Sequence, residues 1–267
     1  MSEKVSNGYA DAGGVQIAFQ VSGNGPPLIC GHAMGWDQSL WDDHREQLSK
    51  HHQLITFDQR GSGDSDHPHQ DQAYTPAAFG QDLQAVLDHL GIERANVLGY
   101  SMGAVAALSF AITCPERVTK LILVSAMASR LPEQIIERAK QVEKAVLTDG
   151  LEKAYEFYFS GPMFEGTLNK QEIVSKMQKV IAKATRHGFL GCFAVTIDRP
   201  SVVDQLSLIS APTLVMVGER DIHYLAEADL ITSIIPSSNR VIVPNAGHAL
   251  TVQNKIEFES QVLNFLK

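Results

Sequence analysis

Ala95-Asn96-Val97-Leu98-Gly99-Tyr100-Ser101-Met102-Gly103 is the stretch on which the fold turns. Its opening run, Ala95 to Gly99, is short and apolar, as a buried strand is, and Met102 to Cys114 reads as a helix. Gly99 to Gly103 therefore fits a G-x-S-x-G turn set between a strand and a helix. Such a turn is tight enough to need small neighbours, holds its serine in a strained conformation, and presents the Oγ beside a helix N-terminus.

Outward from this turn, strand and helix texture alternate. Before it come the strand-like runs Val15 to Ser22 and Pro27 to Cys30, parted by the hairpin-type breaker Gly23 to Pro26, so the start reads as antiparallel. Leu54 to Phe57 and a helix from Thr75 to Leu90 follow. After the turn come Leu121 to Val124, then Thr213 to Gly218, a helix from about Ala226 to Ile235, the strand Arg240 to Val243, and a last helix ending at Leu266. Alternation with nearly unbroken apolar strands predicts an α/β protein with a mostly parallel sheet and helices on both faces. From Ser129 to about Arg199 the strands stop. Ile135, Ile136, Ala139, Val142 and Val146, and later Ile173, Val174, Met177, Val180, Ile181 and Ala184, recur at helical spacing. The expected organisation is a core of residues 1–128 and 200–267 interrupted by a helical cap over 129–199.

Composition narrows the function classes. Hydrophobic residues make up 44% and charged residues 19%, which is globular and excludes collagen-like, coiled-coil and disordered chains. The formal net charge of −8 repels phosphate backbones and anionic membranes, so neither nucleic acid nor a membrane is an expected partner. Cys30, Cys114 and Cys192 lie far apart and are odd in number, which suits buried thiols in a reducing compartment. The opening Met1 to Gly8 has no apolar signal-peptide core, and no run approaches a membrane span; a cytoplasmic location is expected. His51-His52 and His67-Pro68-His69 lack the carboxylate and helical spacing of a metal site and read as solvated loops. No cofactor-binding glycine motif occurs, so none is expected.

A serine hydroxyl needs a base, usually a histidine oriented by a carboxylate. The later strands should end in these groups. Asp221 lies in Gly218-Glu219-Arg220-Asp221 after the strand Thr213 to Gly218, and His248 lies in Asn245-Ala246-Gly247-His248 after Arg240 to Val243. Glu219 competes for the acid position. No Asp or Glu lies between Leu121 and Leu131, so an acid after the preceding strand is unavailable.

With Gly99 to Gly103, Asp58-Gln59-Arg60-Gly61-Ser62-Gly63-Asp64-Ser65, Asp221 and Asn245 to His248 together, the chain resembles the α/β-hydrolase family over nearly its whole length. The resemblance implies a capped serine hydrolase of carboxylesterase type, with the cap between the sixth and seventh strands. It implies a catalytic triad of Ser101, Asp221 and His248, and gives the Asp58 to Ser65 stretch a structural role. Matching Gly31-His32-Ala33-Met34-Gly35-Trp36 to the family's loop implies an oxyanion hole of the Met34 and Met102 backbone N–H groups. Ala33 stands where glycine is usual; it is a rival donor, strained if its φ is positive. A serine at the elbow sets aside the branches with an aspartate nucleophile. Acyl transfer to water remains, on carboxylic esters first, with lactones and the carbon–carbon hydrolysis of ring-cleavage products as alternatives. Gly35 to Trp41 also resembles the loop of signalling hydrolases that keep a triad for reception, against which Trp41 reads as an anchor for the first helix.

Trp36, Met127, Phe157, Tyr158 and Phe159 are the expected substrate-binding wall, since apolar pockets are the rule. Neutral esters with short to medium acyl groups are the expected substrates, provided that Arg130, Arg138 and Arg186, in or beside the cap, are solvated rather than turned inward.

Overall fold

A computed structural model of the chain describes residues 5–161, 164–165 and 171–267. Met1 to Lys4, from the opening segment read above, lie outside the described residues. Eight strands form one sheet: β1 (Ser6–Asp11), β2 (Gln16–Ser22), β3 (Pro27–Gly31), β4 (Gln53–Phe57), β5 (Ala95–Tyr100), β6 (Val118–Val124), β7 (Thr213–Gly218) and β8 (Ser238–Val243). Their spatial order is β1-β2-β4-β3-β5-β6-β7-β8. From β4 onward the pairs are parallel. β1–β2 and β2–β4 are antiparallel. The start is thus antiparallel as expected, but β2 and β3 are not a hairpin: β4 lies between them. Gly23, at φ 74°, packs so close to the end of helix α1 (Asp42–Ser49) that a Cβ there would stand 2.3 Å from Ser49 O. The breaker is a crossover pressed against that helix.

Alternate strand residues feed two core layers. Leu28, Cys30, Leu98 and Ile122 face one side, with Leu48 of α1 and Phe258 and Val262 of helix α10 (Lys255–Leu266), which follows the one-turn helix α9 (Leu250–Gln253). Ile29, Val97, Leu121 and Leu123 face the other, against helices α2 (Pro76–His89), α3 (Met102–Thr113) and α8 (Ile222–Ile234). Trp41 is fully buried and stacks on Phe258 at 6.3 Å, tying the start of α1 to α10. Thr75 caps α2, its Oγ1 accepting from Ala78 N at 3.1 Å.

Among the described residues, four α-helices stand between β6 and β7: α4 (Glu133–Thr148), α5 (Leu151–Phe159), α6 (Gln171–Lys183) and α7 (Arg186–Ile197). The two ends of this insertion are held at one place. Glu227 of α8 accepts from Ala128 N at 2.9 Å, Ser129 N at 3.2 Å and Ser129 Oγ; Val202 N donates to Ala128 O at 2.8 Å, and Arg199 Nη2 to Met127 O at 2.8 Å. Among the described residues, no helix is long and apolar enough to cross a membrane.

Candidate active site

Ser101 ends β5 and starts α3 at φ 52°, ψ −107°, a conformation that costs an L-residue on the order of 1–3 kcal/mol. The surrounding packing enforces it. Ser101 N donates to Val124 O at 2.9 Å, continuing the sheet ladder into the turn. Cβ atoms at Gly99 and Gly103 would lie 2.4 Å from Gly103 O and 2.3 Å from Gly31 O, so the two glycines let α3 approach β3 and β5.

Ser101 Oγ lies 2.9 Å from His248 Nε2, and His248 Nδ1 lies 2.8 Å from Asp221 Oδ2. The carboxylate can only accept from Nδ1–H, so the tautomer of the neutral imidazole that fits this contact leaves the Nε2 lone pair toward the serine. His248 and Asp221 are buried. Tyr100 OH donates to His248 O at 2.8 Å, and the Tyr224 ring lies 4.6 Å from the imidazole. Glu219 points elsewhere: exposed, it accepts from Asn245 N at 2.9 Å and shapes the loop that carries His248. A further partner comes from the end of β6, where Ser125, at φ 43°, donates its hydroxyl to Asp221 Oδ2 at 3.0 Å.

The loop after β3 is anchored through His32. Its Nε2 accepts from Gln59 N at 3.1 Å, so its Nδ1 donates to Ala33 O at 3.0 Å; burial lowers its pKa and keeps it neutral. Positive φ falls on Gly35, at 76°, and not on Ala33, so alanine carries no backbone strain there. The N–H groups of Ala33, Met34 and Met102 find no acceptor among the described residues.

Asp58 and its neighbours build the turn beside this loop. Asp58 accepts from Gln38 N at 2.7 Å and Asp64 N at 2.9 Å, while burial, reinforced by Asp37, pushes its carboxyl up to about 7. Arg60 pairs with fully buried Asp82, Nη2 to Oδ1 at 2.6 Å, and donates through Nη1 to Ala73 O at 2.9 Å. Among the described residues, no group of His, Cys, Asp or Glu is placed to hold a metal ion.

Above Ser101, a cavity of about 300 Å³ lies between the sheet edge and the helical insertion. Tyr158 lines it, as expected. The other expected wall residues do not. Phe159 is buried beneath, its ring 6.0 Å from Trp36, which with Met34 borders a separate small crevice. Met127 borders an apolar hollow behind α3. Phe157 packs against Arg138. Consecutive helical residues point about 100° apart, so 157, 158 and 159 cannot all face one chamber. The apolar wall comes instead from Leu131, Ile135, Val142, Phe164, Phe193 and Ile197. Arg130 and Arg186 are exposed and off the cavity, whereas Arg138 and the unforeseen Arg220 are on its wall. Burial raises the Tyr158 and Tyr224 pKa values, so both phenols remain hydrogen-bond donors.

A family model described as the alpha/beta hydrolase fold matches residues 26–156. The chain has the α/β-hydrolase fold. A putative 2-succinyl-6-hydroxy-2,4-cyclohexadiene-1-carboxylate synthase of Bacillus subtilis is 28% identical to it, over 94% of this chain and 95% of that protein. 3-Oxoadipate enol-lactonase 2 of Acinetobacter baylyi is 28% identical over 91% and 89%. Among solved structures, a hydrolase from Pseudomonas aeruginosa superposes with a TM-score of 0.85 at 26% identity, covering 100% of this chain and 99% of that one. A thermophilic esterase from Thermogutta terrifontis gives 0.82 at 26% identity, covering 98% of both chains. The hydrolase thus shares its fold over nearly its whole length with proteins described as a hydrolase and an esterase.

Two groups of the hydrolase's site escaped the sequence reading. Ser125 does carry a signal, a hydroxyl at the end of a parallel strand next to the strand carrying the acid, but a serine there is not itself a candidate acid. Arg220 lies next to Asp221, and nothing in its spacing separates a cavity arginine from a solvated one.

Proposed function

We propose that the hydrolase cleaves carboxylic esters through an acyl-enzyme on Ser101. The Ser101–His248–Asp221 relay at the floor of a mainly apolar cavity supports this reading most directly. Ser101 Oγ attacks the ester carbonyl while His248 Nε2 takes its proton, and the Met102 and Met34 N–H groups, with Ala33 as the neighbouring alternative, hold the oxyanion. His248 returns the proton to the alcohol oxygen as the carbon–oxygen bond breaks. Water, deprotonated by the same nitrogen, then attacks the acyl carbon and restores the serine. Asp221 keeps the imidazole in the active tautomer. The cavity volume suits short to medium acyl groups. A lactone is an internal ester and enters the same sequence, which the enol-lactonase relative supports.

The test is covalent labelling with an organophosphate followed by peptide mapping, alongside turnover of aryl esters, lactones and a ring-cleavage dienoate. Label is expected on Ser101 alone. Ser101→Ala should lose turnover by a factor on the order of a million, as nucleophile removal does in a serine protease. Label on another residue, or an active alanine variant, overturns the reading.

A further inference from the structure

The cavity wall carries two arginines without a carboxylate partner. Neither Arg138 nor Arg220 takes part in an ion pair among the described residues, whereas Arg45, Arg60, Arg117 and Arg240 all do. Arg138, half-buried on α4, lies on the cavity wall with Ser101. Its guanidinium carbon sits 4.5 Å over the Phe157 ring, and Nη2 donates to Phe157 O at 2.8 Å. Gly161 makes room for it. A Cβ there would stand 2.8 Å from Arg138 Nε, and no positive φ otherwise calls for glycine at that position. Ring, carbonyl and glycine hold the guanidinium in place, and most of its five N–H donors remain unspent.

Arg220, exposed at the side chain, reaches the same cavity from the loop before Asp221, its Nη2 held by Asn245 O at 2.7 Å. The only acid on the wall among the described residues is Asp221, and its carboxylate already accepts from His248 and Ser125. A cavity wall with two arginines and one carboxylate, that carboxylate already engaged by His248 and Ser125, favours a negative guest, even in a chain of net charge −8.

We infer that Arg138, with Arg220, forms a carboxylate-binding subsite, and that the substrate is an ester or lactone carrying a free carboxylate separated from the scissile carbonyl by an apolar spacer. The apolar lining from Leu131 to Ile197 receives the spacer. This replaces the neutral-ester expectation drawn from the apolar stripes of the insertion and the net charge, since a partner for an anion is present on the wall. The inference rests on the reading of Ser101 as nucleophile only for the position of the scissile bond.

The monophenyl esters of adipate and suberate, each compared with its ω-carboxamide, supply the probe. With the wild type, kcat/KM for the carboxylate should exceed that for the carboxamide by about tenfold or more with at least one spacer, as a charge-assisted hydrogen bond warrants. That ratio should fall to near one in Arg138→Met, fall less in the exposed-site variant Arg220→Gln, and decline as salt is raised. Circular dichroism confirms that each variant is folded; if Arg138→Met is not, the Arg220→Gln ratio and the salt dependence decide. Calorimetry on Ser101→Ala with the same pairs separates the two readings. Tighter binding of the carboxylate there, without any wild-type ester turnover, retires the nucleophile and keeps the subsite. Turnover through Ser101 with no carboxylate preference, or a preference that survives both arginine substitutions, overturns the subsite.

Discussion

Replacing Ser125 by glycine isolates one hydrogen bond in the relay. The Ser125 hydroxyl is one of two side-chain donors to the Asp221 carboxylate, at 3.0 Å beside the 2.8 Å contact from His248 Nδ1. A hydrogen bond to a charged acceptor contributes about 1.5–3 kcal/mol. If the whole loss reached the transition state, kcat would fall about 10- to 150-fold, each 1.36 kcal/mol being a factor of ten. Asp221 keeps its charge and its bond to His248, so the fall should lie well short of the roughly ten-thousandfold expected for Asp221→Asn, which disfavours the active histidine tautomer. Glycine is the informative replacement because Ser125 sits at φ 43°. Relieving that conformation returns on the order of 1 kcal/mol, which offsets part of the lost bond and keeps the variant folded. Steady-state kinetics on an aryl ester should show the loss in kcat with KM little changed, and Glu219→Gln should cost less than Asp221→Asn. A Ser125→Gly enzyme within twofold of wild type, or one as impaired as a folded Asp221→Asn, would refute the positioning role; a more damaging Glu219→Gln would reassign the acid.

Asp82→Asn should destabilise the fold by about 3–5 kcal/mol, because it leaves the buried Arg60 guanidinium without its counter-charge, and urea titration measures this directly. A loss below 1 kcal/mol, on the order of a surface ion pair, would refute the buried pairing. Burial also holds the His67 imidazole below its ordinary 6.5, outweighing the Gly63 carbonyl, while Thr185 Oγ1 at 2.7 Å links it to the start of α7. The folded protein therefore binds that proton less readily than the unfolded chain, so the stability His67 contributes is present above about pH 6.5 and lost as pH falls through it. Thermal unfolding at pH 8 and pH 5.5 should show a larger drop for wild type than for His67→Gln; equal drops would assign the acid sensitivity elsewhere.

What the sequence disclosed follows from where each signal arises. The relay was legible because Ser101, Asp221 and His248 each close a strand with its own hydrophobic signature. β1 was not, for Ser6-Asn7-Gly8-Tyr9-Ala10-Asp11 is an edge strand with Ala10 its only buried residue, and it lacks an alternating pattern. The place of β4 between β2 and β3 is a property of long-range pairing that Gly23 to Pro26 cannot encode. The helical insertion could be recognised from its period, but its facing could not. An aromatic run across Phe157, Tyr158 and Phe159 gives residues for three directions, and only packing against Trp36 and Arg138 decides which one meets the cavity.

The joining of Ala128, Ser129, Arg199 and Val202 beside Glu227 bears on how this enzyme could be diversified or re-engineered. Because the segment leaves and rejoins the core at a single clasp, a replacement of different length meets the chain at the same two points and need only supply a matching apolar face to the core. Most of the apolar chamber wall, and Arg138, belong to that segment, while the serine, histidine and aspartate belong to the framework beneath. A graft cut at the clasp would therefore set a new chamber wall over an unaltered Ser101, Asp221 and His248, whereas a graft cut inside α4 or α7 would expose half of a packed interface.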